Sequence, residues 1–188
     1  SGCGKGTQAD LLMEKLAPFG VKHLETGHFL RESLKKDNPT TNIARQVMKE
    51  GDIFPWWYPG WTWLNAFIED GVTAYHLVFD GSPRKIAEAK LLDEVIGWHS
   101  RPLPIGIYIN VSYEESEKRL ILRQRADDNP KAIANRLAYF ETDVMPVIRH
   151  FQEQNRLVEV NGEHTIEAIQ AEVVHKLKEK LGDLWPIR

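Results

Sequence analysis

Short apolar segments with strand character alternate with longer amphipathic segments along the whole chain. The four strand-like segments are Val21–Glu25, His76–Asp80, Ile105–Val111 and Leu157–Val160. Most of them are rich in β-branched residues, which is typical of strands that are buried on both faces. Because parallel strands need a crossover connection that is usually a helix, this alternation predicts an α/β fold with a parallel sheet covered on both faces. Ligands of such folds bind at the carboxyl ends of the strands.

Two of the amphipathic segments carry helix-start signals. Ser112 and Glu115 have the spacing of a capping box, in which each side chain bonds the backbone N–H of the other residue. Asn129 followed by Pro130 is typical of an N-cap and a first helical turn. Apolar residues then recur at helical spacing as far as Phe151, so we expect one long helix there.

The chain has 188 residues, of which 42% are hydrophobic and 27% charged, and a single cysteine, Cys3. These values predict one compact domain spanning residues 1–188. A net charge of -3 gives no sign of the basic face that binds nucleic acid. One cysteine excludes an intramolecular disulfide and a zinc site built from several thiolates, and no apolar run approaches the ~20 residues of a membrane span. We therefore expect a cytoplasmic protein with no zinc and no nucleic-acid or membrane partner. A monomer is our expectation for the assembly, although the sequence leaves the oligomeric state open.

The segment from Gly2 to Thr7, with the sequence Gly-Cys-Gly-Lys-Gly-Thr, leads directly into a helical segment. Its glycines let successive backbone N–H groups turn toward an anion, and the helix N-terminus adds partial positive charge. Lys5 is in position to reach the β- and γ-phosphates of a nucleotide. The alternative is a glycine-rich turn that only caps a helix. The first glycine of the general phosphate-loop pattern would precede Ser1, and Gly6 stands where that pattern has Ser or Thr.

Five blocks along the chain resemble the adenylate kinase family, in the family's order and with nearly its spacing. They are Gly4–Gln8, Thr26–Gly27 with Phe29–Arg31, Asp80–Arg84, Arg119 with Arg123, and Arg125–Asn129 with Arg136. The resemblance implies a P-loop kinase with a three-layer α/β/α architecture and the family's five-stranded parallel sheet. It also implies a nucleoside monophosphate kinase domain, with an acceptor-binding segment at about 26–71 and a short lid at about 119–129. The reaction implied is magnesium-dependent phosphoryl transfer, in which ATP and AMP give two ADP.

On the donor side, the resemblance assigns ATP binding to the glycine-rich loop, two arginines and a glycine after the last strand: Gly2, Cys3, Gly4, Lys5, Gly6, Thr7, Arg119, Arg123 and Gly162. Asp80, at the end of a strand, is expected to order Mg²⁺ through water. Asp127 and Asp128 are expected to hinge and latch the lid. The catalytic residues, which would converge on the transferring phosphates, are Lys5, Arg84, Arg123, Arg125 and Arg136.

On the acceptor side, the resemblance assigns AMP binding to Thr26, Arg31, Phe54, Trp56, Gly81, Arg84, Glu88, Arg125 and Arg136. For any one of these arginines, a surface ion pair is the alternative interpretation. Their clustering in the sequence favours a shared anionic ligand instead. Trp56 is expected to wall the acceptor base together with Trp57, Trp61 and Trp63, and the alternative is a helix that buries these large rings.

The sequence departs from the family pattern at several positions, and one of them is Ser82, which replaces the usual phenylalanine of the Asp-Gly-Phe-Pro-Arg block. Only Gln124 separates Arg123 from Arg125, where long-lid members insert a subdomain that often binds zinc, so a compact lid is expected. His28 replaces an aspartate close to the expected magnesium. Glu88 replaces a glutamine that reads the adenine edge, and a carboxylate accepts hydrogen bonds without donating them. AMP is our first choice of acceptor, with CMP or UMP as the alternative, and a solvent-facing Glu88 is a further alternative.

The implied chemistry needs little covalent help from the protein. The acceptor phosphate has a second pKa of about 6, so it is mostly ionised at neutral pH and no general base is required. The demand is electrostatic, because two polyanions must be brought together. Mg²⁺, one lysine and several bidentate arginines meet that demand, whereas a nucleotide-binding fragment without turnover would need fewer of them.

In the family fold, a first strand lies between the strand that ends at Asp80 and the strand that begins near Ile105, and no segment of this sequence replaces it. Without that strand, two neighbours would be left with unpaired backbone groups. We therefore expect the chain of 188 residues to be poorly stable or inactive. Adding an apolar N-terminal strand is expected to raise both the melting temperature and the turnover. Equal melting and equal turnover of the two chains would refute this expectation.

Overall fold

The computed structural model describes residues 1–69, 74–123 and 129–186. The strands are β1 (Val21–Glu25), β2 (His76–Asp80), β3 (Gly106–Asn110) and β4 (Leu157–Asn161). The helices are α1 (Lys5–Leu16), α2 (Thr26–Ser33), α3 (Pro39–Glu50), α4 (Trp57–Glu69), α5 (Ile86–Trp98), α6 (Tyr113–Arg123), α7 (Pro130–Tyr139), α8 (Met145–Glu153) and α9 (Ile166–Leu181). Each strand lies within one residue of its predicted bounds. Within these ranges, no helix combines the length and the apolar character needed to cross a membrane.

The strands form two parallel pairs. β1 runs beside β2, with Val21 opposite His76, and β3 runs beside β4, with Gly106 opposite Leu157. The predicted parallel pairing is therefore confirmed. Among the described residues, no ladder of hydrogen bonds joins β2 to β3, so the middle of the sheet expected from the family is open in this structure.

One hydrophobic cluster bridges the two strand pairs. Leu12 and Leu16 of α1 pack with Val160 of β4 and with α9, and Val78 of β2 lies against the same cluster. On the opposite face, Phe151 of α8 packs with α5 and β4. Burial of each such side chain is worth about 1.5–3 kcal/mol, so side-chain packing supplies much of the cohesion between the two pairs. Helices on both faces give the three-layer α/β/α architecture that the sequence predicts.

The segment expected to be one long helix is interrupted. α7 begins as predicted, since the Asn129 side chain accepts a hydrogen bond from the backbone N–H of Ala132. A π-helical turn at Phe140–Val144 then separates α7 from α8. Pro146 lies in the first turn of α8, and a proline inside a continuous helix would lack one N–H and would clash with the preceding turn. Widening the helix before the proline relieves that conflict.

The predicted capping box of α6 is only half formed. The backbone N–H of Glu115 donates to the Ser112 hydroxyl over 3.4 Å, as expected. The reciprocal bond is absent among the described contacts, because the Glu115 carboxylate instead accepts from Arg119. The backbone N–H of Ser112 is satisfied by Glu163, from the loop after β4. The hydrogen bond to Glu163 therefore connects the start of α6 to the loop that follows β4.

A nearly buried ionic cluster joins α5, α8 and the start of β4. One carboxylate oxygen of Asp93 accepts from His150 at 2.8 Å and from the Arg156 guanidinium at 2.6 Å. Arg156 also donates to the carbonyl of Pro104 and lies over the Phe151 ring. Since removal of one member of a buried ion pair leaves the other charge uncompensated, this cluster is expected to matter for stability.

We expect Asp93→Ala to lower the free energy of unfolding by about 3 kcal/mol, because Arg156 would remain buried without its carboxylate. Urea unfolding followed by circular dichroism measures the change. Glu172→Ala is the matched control, since it breaks a more exposed pair with Lys176 on α9 and should cost about 0.5 kcal/mol. Equal losses in the two variants would contradict the prediction.

Candidate functional site

A cavity of about 690 Å³ lies at the carboxyl ends of β1 and β2. The N-terminus of α1 forms one side, and residues of α2, α3, α6 and α7 form the others. The volume falls within the usual range of about 300–1,000 Å³ for small-molecule sites. Its position at the strand ends agrees with the expectation for an α/β fold.

The glycine-rich loop forms the floor of this cavity. Gly4 is the N-cap of α1 with φ 85°, and Lys5 is the first residue of the helix. Gly2 also has a positive φ of 78°, and a Cβ built on it would lie 2.5 Å from the carbonyl oxygen of Ser116. Only glycine fits that position without moving the backbone. Cys3 packs against the hydrophobic cluster beneath the loop, so its side chain faces the core.

The structure brings together the cationic side chains that the sequence singled out. Six of them line the cavity: Lys5, Arg31, Arg84, Arg119, Arg123 and Arg136; three further cations, Arg45, Lys49 and Lys85, line it as well. Arg31 pairs with Glu25 in the cavity wall at 2.9 Å, and Arg119 pairs with Glu115 along α6 at 2.7 Å. Several positive groups around one concave surface form a site for an anion with more than one charge.

Arg84 is held in place by two contacts. Its Nε donates to the carbonyl of Gly81 at 2.8 Å, and a terminal nitrogen donates to the Tyr139 hydroxyl at 2.9 Å. Tyr139, together with the carboxylates of Glu88 and Asp80, holds the pKa of Arg84 above its ordinary value, although burial opposes the rise. Sequence reasoning missed Tyr139. The available signal was its place three residues after Arg136, on the same face of α7.

Asp80 is the residue best suited to a metal at this site. It ends β2, and its Oδ1 is buried with no hydrogen-bond partner in the described part of the chain. Its Oδ2 lies 3.6 Å from the position that a Cβ at Gly6 would take, so the carboxylate faces the loop. Among the described residues there is no cluster of three or more acidic, histidine or cysteine side chains that could hold a metal. A single buried carboxylate oxygen without a protein partner among the described residues fits a Mg²⁺ ion that takes its other ligands from phosphate and water.

On the acceptor side, Thr26, Phe54 and Gly81 line the cavity as expected. Trp56 does not lie where the sequence analysis expected it. It is 43% exposed and is absent from the described residues that line the cavity. It lies in the turn before α4, where Pro59 of the first helical turn takes the cavity-facing position. Of the other tryptophans, Trp57 and Trp61 are exposed and Trp63 is buried in the core.

Glu88 is only 1% exposed, so the alternative in which it faces solvent is wrong. Its carboxylate accepts hydrogen bonds from Trp63, Ser82 and the backbone N–H of Arg84. Gly162 packs tightly beneath β3, where a Cβ would lie 2.4 Å from Val111, and it is not among the described residues that line the cavity. Arg125, Asp127 and Asp128 lie outside the described residues.

A glycine-rich loop at a helix N-terminus, a lysine and converging arginines at the ends of parallel strands define a P-loop nucleotide-binding protein. The family model described as adenylate kinase matches residues 1–156. The chain therefore belongs to the adenylate kinase family.

Individual relatives agree with that assignment over nearly the whole chain. The chain is 30% identical over 178 residues to an adenylate kinase of Synechococcus sp. (strain RCC307), covering 94% of this chain and 93% of that protein. It is 30% identical over 187 residues to an adenylate kinase of Leuconostoc mesenteroides subsp. mesenteroides, covering 97% and 94%. An adenylate kinase of Xanthomonas euvesicatoria pv. vesicatoria is also 30% identical, over 185 residues, covering 96% and 95%.

We expect Gly2→Ala to weaken ATP binding about tenfold, because alanine is strained at positive φ by about 1–2 kcal/mol and its methyl group would displace the loop from Ser116. Calorimetric titration with MgATP measures the affinity. Gly97→Ala is the control: within the described structure nothing lies within 4 Å of its Cβ position. That change, near the end of α5, should leave binding unaltered. Unchanged affinity in Gly2→Ala would contradict the loop geometry.

Proposed function

We propose that this protein catalyses reversible phosphoryl transfer from MgATP to AMP, giving two ADP. The observation that carries the proposal is the convergence of Lys5 and five arginines on one cavity beside a glycine-rich loop. A site that only bound one nucleotide would need fewer of these cations. Two phosphate chains facing each other need several of them, because their mutual repulsion must be neutralised as the phosphoryl group moves.

The donor occupies the side of the cavity that is formed by α1 and α6. Backbone N–H groups of the loop and the Lys5 ammonium hold the β- and γ-phosphates. Arg119 lies against the donor base, and Arg123 reaches the transferring group. Support for this side comes from the loop geometry and from the position of Arg119 and Arg123 in the cavity wall.

The acceptor occupies the side formed by α2, α3 and α7, within the proposed acceptor segment of residues 26–71. Arg31, Arg84 and Arg136 hold its phosphate, and Thr26 and Phe54 contact the nucleoside. The second ionisation of the acceptor phosphate supplies the nucleophilic oxygen, so no protein base is needed. The short lid at 119–129, with Arg125, Asp127 and Asp128, closes over both nucleotides and excludes water, which would otherwise hydrolyse ATP.

Magnesium supplies charge neutralisation when it is bound with the donor. Asp80 would hold it through ordered water, since its carboxylate faces the loop and its buried Oδ1 has no protein donor among the described residues. Gly6 offers no hydroxyl ligand, so phosphate oxygens and water complete the coordination. No zinc is expected, because the chain has one cysteine.

AMP is the proposed acceptor because the relatives named above are adenylate kinases. We also propose that the protein is a monomer with one domain over residues 1–188. It acts in the cytoplasm, and its only partners are small nucleotides. Size-exclusion chromatography with light scattering tests the monomer. Initial rates with AMP, CMP, UMP and GMP in a coupled assay for ADP test the acceptor.

Lys5→Ala is expected to lower kcat by about a hundredfold or more, since it removes a positive charge from the transferring phosphates. Lys15→Ala, at the exposed end of the same helix, is the matched control and should leave the rate unchanged. Both variants are assayed with saturating MgATP and AMP. A Lys5→Ala enzyme as fast as the unaltered protein would refute the proposed role of the loop.

A further inference from the structure

Glu88 lies in the wall of the cavity but is only 1% exposed, and its carboxylate is surrounded by protein donors. Its Oε1 accepts from the Trp63 indole N–H at 3.2 Å and from the Ser82 hydroxyl at 2.6 Å. Its Oε2 accepts from the backbone N–H of Arg84 at 2.9 Å. Ser82 itself accepts from the Thr26 hydroxyl at 2.8 Å, so the relay of hydrogen bonds points toward the carboxylate.

These contacts consume most of the hydrogen-bonding capacity of the carboxylate. An indole N–H and a backbone N–H can only donate, so both need an acceptor at position 88. Oε1 has its two lone pairs occupied, and Oε2 has one lone pair left. Burial raises the pKa of Glu88, while the bonds from Ser82, Arg84 and Trp63 oppose that rise. The side chain therefore has little capacity left to recognise a nucleotide base.

The three donors come from different parts of the chain. Trp63 is on α4 and is itself buried in the core, and Ser82 and Arg84 follow β2 in the loop before α5. Arg84 is the arginine whose side chain lines the cavity between Gly81 and Tyr139. Through Arg84 N–H, the Glu88 carboxylate fixes the backbone from which that guanidinium extends.

We infer that Glu88 is a positioning residue that orients Arg84 for the acceptor phosphate, and this inference rests on the proposed function. Glu88 does not read the acceptor base. Trp63 is the reason that position 88 carries a carboxylate. The inference thereby replaces the base-reading role that the family pattern implies for this position, and it predicts that acceptor-base preference does not depend on Glu88.

Glutamine at position 88 would conflict with one donor in either orientation of its amide. With the NH₂ group at the Oε2 position, it faces the N–H of Arg84. With the NH₂ group at the Oε1 position, it faces the indole N–H of Trp63, whereas the Ser82 hydroxyl can turn and accept. Replacing Trp63 by phenylalanine removes the second conflict, so the second amide orientation becomes acceptable.

The test measures dissociation constants of AMP, GMP, CMP and UMP by calorimetry for the unaltered chain, Glu88→Gln, Trp63→Phe and the double variant. Glu88→Gln is expected to weaken all four monophosphates by a common factor of about ten, the effect of one buried donor left unpaired. ATP affinity is expected to stay unchanged, which a general loss of structure would not allow. In the double variant, the loss should shrink to within about threefold of Trp63→Phe alone.

Glu94→Gln, on an exposed position of the same helix, is the control and should change none of these constants. A Glu88→Gln variant whose preference among the four bases changes by more than about threefold would show that Glu88 reads the base. Urea unfolding of the same four proteins gives a coupling between positions 63 and 88 that requires no nucleotide, and additive effects there would overturn the role given to Trp63. Absence of turnover in the unaltered chain would refute the proposed reaction and leave this coupling measurable.

Discussion

The convergence of like charges on one cavity is the constraint on which the rest of this structure depends. The nine lysine and arginine side chains of the described residues that line a single concave surface repel one another, and the fold must hold them there before any anion arrives. The local contacts show how it does so. Arg31 and Arg119 each form an ion pair with a glutamate, and Arg84 donates hydrogen bonds to a backbone carbonyl and to the Tyr139 hydroxyl. These partners offset part of the repulsion while keeping N–H donors available for a polyanion.

The scaffold delivers these side chains through packing that is spread over both strand pairs. The loop that precedes α1 and the segments that follow β1 and β2 meet at one edge because parallel strands end on the same side. Leu12 and Leu16 pack α1 against α9 and β4, and Val78 of β2 contacts the same cluster. This packing fixes the position of the phosphate loop relative to both strand pairs. The Asp93 cluster does the same for α5 and α8 on the opposite face. Precision at the site thus comes from contacts far from it.

Much of this arrangement could be predicted from the sequence, because it depends on local patterns. Apolar β-rich runs located all four strands, and the Asn129 cap located the start of α7. The hydrogen-bond partners of individual side chains could not be predicted in the same way. The sequence shows that a carboxylate at position 88 can accept hydrogen bonds, but only the tertiary structure shows that Trp63 is one of its donors. The exposure of Trp56 was equally hidden, since helical periodicity says nothing about a residue in the turn before a helix.

The π-helical turn between α7 and α8 has a geometric consequence for the site. Arg136 and Val147 are separated by about three turns of a regular α-helix, so an uninterrupted helix would place both on nearly the same side. In this structure Arg136 lines the cavity, whereas Val147 is buried with Ala89 of α5. The π-helical turn at Phe140–Val144 changes the helical phase, so the side chains of α8 are rotated about the helix axis relative to those of α7. One continuous stretch of chain can thereby direct a guanidinium to the ligand and an isopropyl group to the protein interior.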